Sequence, residues 1–568
     1  TDRAIYRPGQ EVHVKGIVTV KRGDQVVVRP GHHGVLRFLD VNGEVVDTVP
    51  YTTDAFGACV ARFTAPVGSL TGAMRIEEAH GSAQVRVEEY KRPTFEVRFD
   101  PVAGQPRLNG DVELTGTASS YAGVALDGAT VRWTVQRTPR MPWWCGMGWR
   151  GLPWGRSTQV ATGTATCDAQ GRFTARFIAP ADPAFPRDAD PTFHFAAEAV
   201  VTDRSGEVQQ GSTAFDLGYR RITIDLRLGE AVDRSALDSL DLRVRNLNGQ
   251  EVDVPVDVRV HRLRAPLVPY RERVLPRPDR TVMDREIYAQ RFPDEAFGDV
   301  ADPLTWPAEE AVYERIGHRA NGRALVLPAA RTWDVGTYRI ELQARDDGGD
   351  TVRVRTVVTL YDAEVQHTGF AAEAFHAELV KGRCEPGEKA VLLLSSALPD
   401  GRVLMEVERD GVTAVSRRLT LSRGQQRVEL PVREDDRGGF AVHLLCVERG
   451  RVHARTLAIE VPWTNKDLQV EWMSFRDKLQ PGDREEWRLK IRGAKGHAVA
   501  AQLLATMYDA SLDHFVPHGW ALDVHPRTDA RLGWQRTTPF GTDGGREVWR
   551  PFISPTAVVR IYPLLEMH

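Results

Sequence analysis

The fold is decided by the stretch Asp54-Ala-Phe-Gly-Ala-Cys-Val-Ala-Arg-Phe-Thr-Ala-Pro66, which returns as Asp168-Ala-Gln-Gly-Arg-Phe-Thr-Ala-Arg-Phe-Ile-Ala-Pro180. Eight of the thirteen positions are identical, including the Gly at the turn and the closing Phe-x-Ala-Pro. An Asp–Gly turn followed by a short run that ends at proline is typical of a turn that feeds a β-strand. A repeat of this kind indicates tandem copies of one structural unit.

Two further elements recur along the chain. A Gly followed by alternating apolar residues begins at residues 9, 110, 387 and 482. Alternation that turns at Gly or Asp predicts antiparallel hairpins. These hairpins are expected at 74–87, from Ala199 through the turn at 203–206, at 338–354 and at 442–452.

The repeats place domain boundaries near residues 91, 219, 363 and 463. A β-sandwich uses about 100 residues, so 568 residues allow several. We predict an all-β chain with little helix, built as a tandem array of about five Ig/fibronectin-like antiparallel sandwiches. The best candidate for a helix runs from Pro307 to Ile316 and stops at Gly317. The predicted domains are 1–91, 92–219 with a Trp-rich hairpin loop, 220–363 with a long irregular insertion, 364–463, and an incomplete 464–568.

Composition and charge exclude several classes of function. With 74 basic and 77 acidic residues the net charge is −3, which offers no basic footprint for nucleic acid. The longest apolar runs, such as 391–394, are the length of a strand and far too short to span a membrane. The chain begins Thr1-Asp2-Arg3 without an initiator Met, so we interpret it as an interior fragment of a longer exported protein.

No motif with catalytic geometry occurs in the sequence. We find no Gly-x-x-x-x-Gly-Lys phosphate loop, no His-Glu-x-x-His and no Gly-x-Ser-x-Gly. The sequence therefore predicts no catalytic residue, no cofactor and no metal ion, and the protein is expected not to be an enzyme.

The five cysteines are too few for a disulfide-dense scaffold. Cys384 and Cys446 fall within one predicted domain, where they could form a disulfide if the protein is exported. Two buried free thiols are the alternative.

The most unusual stretch is the loop that follows the strand 131–135. It carries four tryptophans within twelve residues, and exposed rings in such number would need a partner. The loop is interpreted either as a contact for a neighbouring domain of the same chain or as a binding surface for a protein or glycan. The residues concerned are Trp143, Trp144, Trp149 and Trp154.

Three segments resemble one family, the bacterial alpha-2-macroglobulins. The opening motif is Thr1-Asp-Arg-Ala-Ile5-Tyr6-Arg-Pro-Gly9 through Gly16, and the junction motif is Glu89-Tyr90-Lys-Arg-Pro-Thr-Phe-Glu-Val97. The late motif is Met507-Tyr-Asp-Ala-Ser-Leu-Asp513, followed by His518 and Trp520. The resemblance covers essentially the whole chain and implies that the five sandwiches are macroglobulin-like domains.

The resemblance also implies a function. In that family a ring of sandwiches supports an exposed bait segment, and cleavage of the bait by an endopeptidase leads to capture of the protease. The chain would then be a non-catalytic scaffold segment of a broad-spectrum protease inhibitor, exported to the periplasm or the envelope. Its partners would be target endopeptidases, met through the full-length parent, and other domains of the same chain.

Two family features can be checked in the residues. The thioester motif Cys-x-Glu-Gln is absent, since Cys446-Val-Glu-Arg449 lacks the Gln, so a thioester is expected only beyond His568. After Trp520 the alternation fades into a stretch with Gly, Pro and several arginines, which trypsin-like proteases cut readily if it is exposed. The candidate protease-sensitive residues are Arg527, Arg531, Arg536 and Arg546, and an ordinary long loop is the alternative.

A rival hypothesis is an envelope or surface scaffold that binds a protein partner or a glycan and inhibits nothing. Stacked sandwiches serve many functions, so the fold alone does not separate the two. Exposure of the tryptophan loop would favour binding, and its burial between domains would favour the scaffold.

Overall fold

The computed structural model describes residues 1–22, 25–90, 94–102, 106–121, 123–140, 156–185, 187, 190–271, 280–320, 323–476, 482–494, 496, 501–520 and 530–534. Within these residues the strands form four consecutive β-sandwiches and one further hairpin. The predicted boundaries near 91, 219, 363 and 463 fall between these groups of strands. The prediction of an all-β array of sandwiches with little helix is confirmed.

Sandwich 1 packs a five-stranded sheet, in the order β1-β9-β8-β5-β6, against the pair β2-β7, beside a small hairpin β3-β4. Residues from both sheets meet in one core that includes Tyr6, Phe38 and Phe63. The strands are β1 Ile5–Tyr6, β2 Glu11–Ile17, β3 Thr19–Arg22, β4 Gln25–Val28, β5 His33–Leu39, β6 Val45–Thr52, β7 Ala58–Thr64, β8 Gly72–Glu78 and β9 Gly81–Val87.

Sandwich 2 has a three-stranded sheet β10-β11-β14 and a four-stranded sheet β13-β12-β15-β16. Its core is rich in aromatic rings, with Phe195 and Phe215 stacked at a centroid distance of 5.4 Å. The strands are β10 Phe95–Phe99, β11 Asp111–Ser120, β12 Thr130–Arg140, β13 Thr158–Thr166, β14 Arg172–Ile178, β15 Thr192–Thr202 and β16 Val208–Gly218.

The thirteen-residue repeat forms the same turn and strand in both sandwiches, as predicted. Oδ1 of Asp54 and of Asp168 accepts the amide N–H four residues later, at 2.9 and 2.8 Å respectively. The turn glycines, Gly57 and Gly171, have φ of 71° and 73°, a backbone conformation that glycine adopts without a steric penalty. The strand that follows each turn is β7 in sandwich 1 and β14 in sandwich 2.

Sandwich 3 combines a three-stranded sheet β17-β19-β22 with a five-stranded sheet β18-β24-β23-β20-β21. A short helix, α1 Arg285–Arg291, lies in the long connection between β20 and β21. The strands are β17 Ile222–Arg227, β18 Ala231–Asp233, β19 Ser239–Asn246, β20 Pro255–Leu263, β21 Ala308–Arg319, β22 Leu325–Val326, β23 Gly336–Arg345 and β24 Thr351–Tyr361.

The helix predicted over 307–317 is wrong, because this stretch is the edge strand β21. It pairs antiparallel with β20, so its backbone groups bond to a neighbouring strand rather than to each other. Pro at the start and Gly at the end indicated a helix, but Gly317 lies within the strand at φ 67° and donates its N–H to Asp257 Oδ1 at 2.9 Å. Pairing with a strand from the core overrode this local signal.

Sandwich 4 packs the sheet β25-β26-β29 against the sheet β28-β27-β30-β31. The fully buried run 391–394 lies in its inner strand β26. The strands are β25 His376–Lys381, β26 Lys389–Ser396, β27 Gly401–Arg409, β28 Val412–Leu421, β29 Gly424–Pro431, β30 Phe440–Glu448 and β31 Arg451–Ile459.

The four hairpins predicted near the domain ends are confirmed as β8–β9, β15–β16, β23–β24 and β30–β31. In the described part of 464–568 the only sheet is a hairpin of β32 Leu468–Ser474 and β33 Arg488–Gly493. Its side chains are largely exposed, and Trp472, for example, is 52% exposed. None of the helices among the described residues is long and apolar enough to cross a membrane.

Candidate functional site: two contacts made by the end of the chain

The structure brings together the three segments on which the family resemblance rests. Ile5 of the opening motif, Tyr90 of the junction motif and Leu512 of the late motif form one apolar cluster. Leu512 is only 2% exposed in it, and the ring of Phe515 lies 5.2 Å from that of Tyr90. The late motif therefore packs on sandwich 1, although it follows sandwich 4 in the chain. We call this the sandwich 1 contact (residues 501–520).

The late motif folds into a short 3-10 helix, Ala510–His514, that directs Leu512 into the cluster. The Asp509 carboxylate caps its first turn by accepting the amide N–H two residues on, at 3.0 Å. The Tyr508 hydroxyl donates to Asp513 Oδ1 at 2.8 Å and ties the ends of the motif together. The polar residues of this motif thus have a structural role, which is to hold the shape of the turn.

Hydrogen bonds surround the apolar cluster. In one of them Lys15 Nζ of sandwich 1 donates to the carbonyl O of Leu503 at 3.5 Å. The other three use a side chain from the late segment as the donor. They are Gln502 Nε2 to Asp54 Oδ2 at 2.6 Å, Thr506 Oγ1 to the carbonyl O of Asp2 at 2.8 Å, and Trp520 Nε1 to the carbonyl O of Thr1 at 2.9 Å.

A second contact joins residues 530–534 to sandwich 4. The amide N–H of Arg531 donates to Glu408 Oε1 at 2.9 Å, and that of Leu532 donates to Glu408 Oε2 at 3.1 Å. His443 Nε2 lies 2.7 Å from the same Oε2. The ring of Trp534 meets the His443 ring edge to face, with centroids 5.9 Å apart. We call this contact the Glu408 clamp. It consists of Glu408, His443 and the backbone amides of Arg531 and Leu532.

The clamp lies on the outer face of the sandwich rather than in its core. Met405 and Val407 of β27 belong to the core, whereas Glu408 binds the segment that covers the sheet from outside. Glu408 is 1% exposed and His443 is 3% exposed. His443 Nδ1 lies 3.0 Å from the Thr456 hydroxyl, which fixes the ring. A buried carboxylate with three hydrogen-bond partners is satisfied, whereas one without partners would be costly to bury.

The pKa of the Glu408 carboxyl is lowered from its usual value. Burial acts in the opposite direction, but the bond from His443 and the two amide donors outweigh it. The carboxylate is therefore ionised at neutral pH and bonds to the amides as an acceptor only. Hydrogen bonds to an ionised acceptor are about twice as strong as neutral ones.

Of the predicted protease-sensitive residues, Arg531 lies in the clamp. Arg527, Arg536 and Arg546 lie outside the described residues, as do Trp143, Trp144, Trp149 and Trp154. Nothing in the sequence pointed to Glu408 and His443, because a polar residue on the outer face of a strand is ordinary. The bonds that give them a role come from a segment far along the chain.

Cys384 and Cys446 are free thiols in the structure, both buried in the core of sandwich 4. Cys384 Sγ donates to the carbonyl O of Lys389 at 3.4 Å. Burial raises the pKa of Cys446 to about 12, so its thiol stays protonated and unreactive. Of the two alternatives open for this pair, the structure contains buried thiols and not the disulfide.

Among the described residues, no group of three or more His, Cys, Asp or Glu side chains is arranged to hold a metal ion. Both contacts consist of peptide segments seated on sandwich surfaces. Their chemistry is that of recognition between parts of one chain.

Comparisons with known protein families agree with this architecture. Residues 1–97 match the MG2 domain model, and residues 375–512 match the alpha-2-macroglobulin bait region domain model. The fold and these matches define the class as a tandem array of macroglobulin-like domains. The chain carries an MG2 domain and an alpha-2-macroglobulin bait region domain at the matched residues. No curated protein sequence matches it.

Solved structures similar to this chain include bacterial alpha-2-macroglobulins. Trypsin-activated alpha-2-macroglobulin from Escherichia coli is 14% identical, with a TM-score of 0.43, and the match covers 86% of this chain and 32% of that one. The Salmonella protein reacted with methylamine is also 14% identical, with a TM-score of 0.36, and the match covers 88% of this chain and 32% of that one. The chain thus spans about a third of the length of these structures.

Proposed function

We propose that this chain is a non-catalytic scaffold segment of an alpha-2-macroglobulin-like protease trap, a broad-spectrum inhibitor of endopeptidases. Its sandwiches would hold a protease-sensitive segment at a fixed position, and the whole protein would enclose or capture the protease that cuts it. As the family resemblance implies, the protein would be exported to the periplasm or the envelope.

The observation that carries this proposal is the match of residues 375–512 to the bait region domain, followed directly by an arginine-bearing stretch. The structure adds that the chain on either side of residues 521–529 is attached to folded sandwiches. Residues 501–520 contact sandwich 1, and residues 530–534 contact sandwich 4. A stretch held at both ends would stay at one place on the scaffold while proteases have access to it.

Limited digestion tests the proposal. The chain is treated separately with trypsin and with porcine elastase, and the first products are identified by intact mass. Elastase prefers small side chains at the cleaved position, so a region that both enzymes cut first is chosen by accessibility and not by its arginines. We expect the first cuts of both enzymes within 521–550, with the four sandwiches left intact.

The trapping step is tested on the longer parent protein. After digestion, active protease should elute with the inhibitor in gel filtration and should keep activity only towards small substrates. First cuts that are scattered over the sandwiches, or a protease that elutes free after the bait has been cut, would contradict the proposal. The heat-unfolded chain is the control, because every arginine is then accessible to trypsin.

A further inference from the structure

We propose that the outer face of sandwich 4 is a binding site for a peptide backbone, and that its ligand is residues 530–534 of this chain. The Glu408 clamp holds the Arg531–Leu532 peptide bond and keeps it away from proteases. This goes beyond the proposed function, because the clamp acts whether or not a protease is retained.

The hydrogen bonds of the clamp engage the two backbone amides that a protease must reach in order to cut this peptide bond. A trypsin-like enzyme that cuts after Arg531 must bind its backbone in an extended form and attack the peptide group whose N–H belongs to Leu532. Both of these N–H groups donate to the Glu408 carboxylate, at 2.9 and 3.1 Å. The bond can be cut only after both hydrogen bonds have been broken.

The exposure of the Arg531 side chain alone would suggest that proteases cut the Arg531–Leu532 bond easily. The Arg531 side chain is exposed and could enter a trypsin-like specificity pocket, as its sequence context predicts. Its backbone is held nevertheless, because the acceptor lies beneath the segment. For Arg531 we therefore expect resistance to cleavage.

The site is built by sandwich 4 and not by the segment. Glu408 is fixed from its own side by His443, which is in turn fixed by Thr456. Without the segment, a carboxylate that is now 1% exposed would lose two of its three partners. Trp534 adds an aromatic contact with the His443 ring, so the segment has one polar and one aromatic attachment point.

The test is the rate at which trypsin cuts the Arg531–Leu532 bond in the folded chain. A synthetic peptide that spans 527–538 gives the intrinsic rate. We expect the wild-type chain to be cut at this bond at least about tenfold more slowly than the peptide, because cleavage follows the small population in which the clamp is open. Glu408→Gln removes the charge and places an amide donor beside two N–H donors, so the rate should rise by about tenfold.

Glu406→Gln is the matched control. Glu406 lies two residues earlier in β27, and its carboxylate accepts a bond from the Ser416 hydroxyl, at 3.4 Å, rather than from the segment. We expect this variant to be cut at Arg531 at the wild-type rate. Cuts after Arg417 or Arg418 in β28 report unfolding of sandwich 4, and they should stay slow in both variants.

Trp534→Ala provides a second test that leaves every residue of sandwich 4 unchanged. It removes the aromatic contact with His443 and should speed cleavage at Arg531 several-fold, even if Glu408→Gln fails to fold. The proposal is overturned if the wild-type chain is cut at Arg531 as fast as the peptide. It is also overturned if Trp534→Ala, with sandwich 4 intact, is cut at the wild-type rate.

Discussion

The end of the chain contacts the sandwiches twice, and the two contacts differ in kind. The sandwich 1 contact is an apolar cluster around Leu512, bordered by side-chain hydrogen bonds. The Glu408 clamp is a buried carboxylate that holds two backbone amides. Burial of apolar surface does not depend on protonation, whereas an ionic contact does. The apolar cluster of the first contact is therefore insensitive to protonation, whereas the second contact depends on an ionised carboxylate.

This difference suits a molecule that must keep a segment in place until it is cut. If the proposed function is right, cleavage between the two contacts would leave residues 501–520 on sandwich 1. It would leave residues 530–534 held by a few hydrogen bonds and one ring contact. The weaker attachment is the one from which the cut end could leave.

The largest effect is expected from Leu512→Ala in the sandwich 1 contact. It removes a side chain that is 2% exposed, and the docking free energy should fall by about 3 kcal/mol. Hydrogen exchange of amides 505–516 should become much faster, while that of 530–534 should not change. Met507→Ala is the control, because Met507 is 72% exposed. Equal effects of the two substitutions would show that Leu512 does not hold the contact.

Acidification should open the clamp and leave the apolar cluster closed. The Glu408 pKa is lowered in the folded protein. The stability that the ionised Glu408 gives to the clamp is therefore complete above the usual carboxyl pKa and is lost as the pH falls through the lowered value. Protonation turns two charge-assisted bonds into ordinary ones, a loss of about 2 kcal/mol. The charged groups next to this carboxylate are Arg531 and, when protonated, His443, with Glu406 further along the same strand.

Hydrogen exchange at a series of decreasing pH values from pH 7, corrected for the intrinsic rates, measures this difference. We expect amides 530–534 to lose protection as the pH falls through the lowered Glu408 pKa, while those around Leu512 and in β26 keep it. If 530–534 stay protected down to the pH at which sandwich 4 itself unfolds, the carboxylate is not what holds the segment.

Sandwich 4 itself should respond to pH in the opposite sense, through His376. Burial lowers the pKa of this ring, but bonds to Glu373 at 2.8 Å and Glu378 at 3.3 Å outweigh it and raise the pKa to about 9. The resulting stability is complete below the usual value near 6.5 and is lost as the pH rises through about 9. It amounts to about 2 kcal/mol.

Urea unfolding of sandwich 4 at pH 6 and at pH 10 checks this. The midpoint should fall at the higher pH in the wild-type chain and should change less in His376→Gln. An identical pH response in both would rule out His376 as the cause.

The repeat shows how far the sequence alone could lead. Asp54 and Asp168 predicted two turns of the same shape, because a carboxylate two to four residues before its amide partners needs only local geometry. The hairpins were predictable for the same reason. The helix expected at 307–317 was wrong, because the outcome there depended on pairing with β20. Glu408 and Leu512 could not be assigned, because each acts on a segment that lies far away in the chain.

The smallest expected effect concerns a contact that only one of the two copies of the repeat makes. Asp54→Ala and Asp168→Ala each remove the bonds to two amides in a turn, and each should cost about 1 kcal/mol in its own sandwich. Only Asp54 also accepts a bond from Gln502, at 2.6 Å. Asp54→Ala should therefore speed hydrogen exchange across 501–506, and Asp168→Ala should not.

Gln502→Ala separates the two roles of Asp54. It should reproduce the faster exchange of 501–506 without lowering the stability of sandwich 1. If Asp54→Ala and Asp168→Ala leave exchange at 501–506 equally unchanged, the sandwich 1 contact is carried by its apolar cluster alone. In that case the two copies of the repeat would be equivalent turns, and the attachment of the chain end would depend on Leu512 and its neighbours.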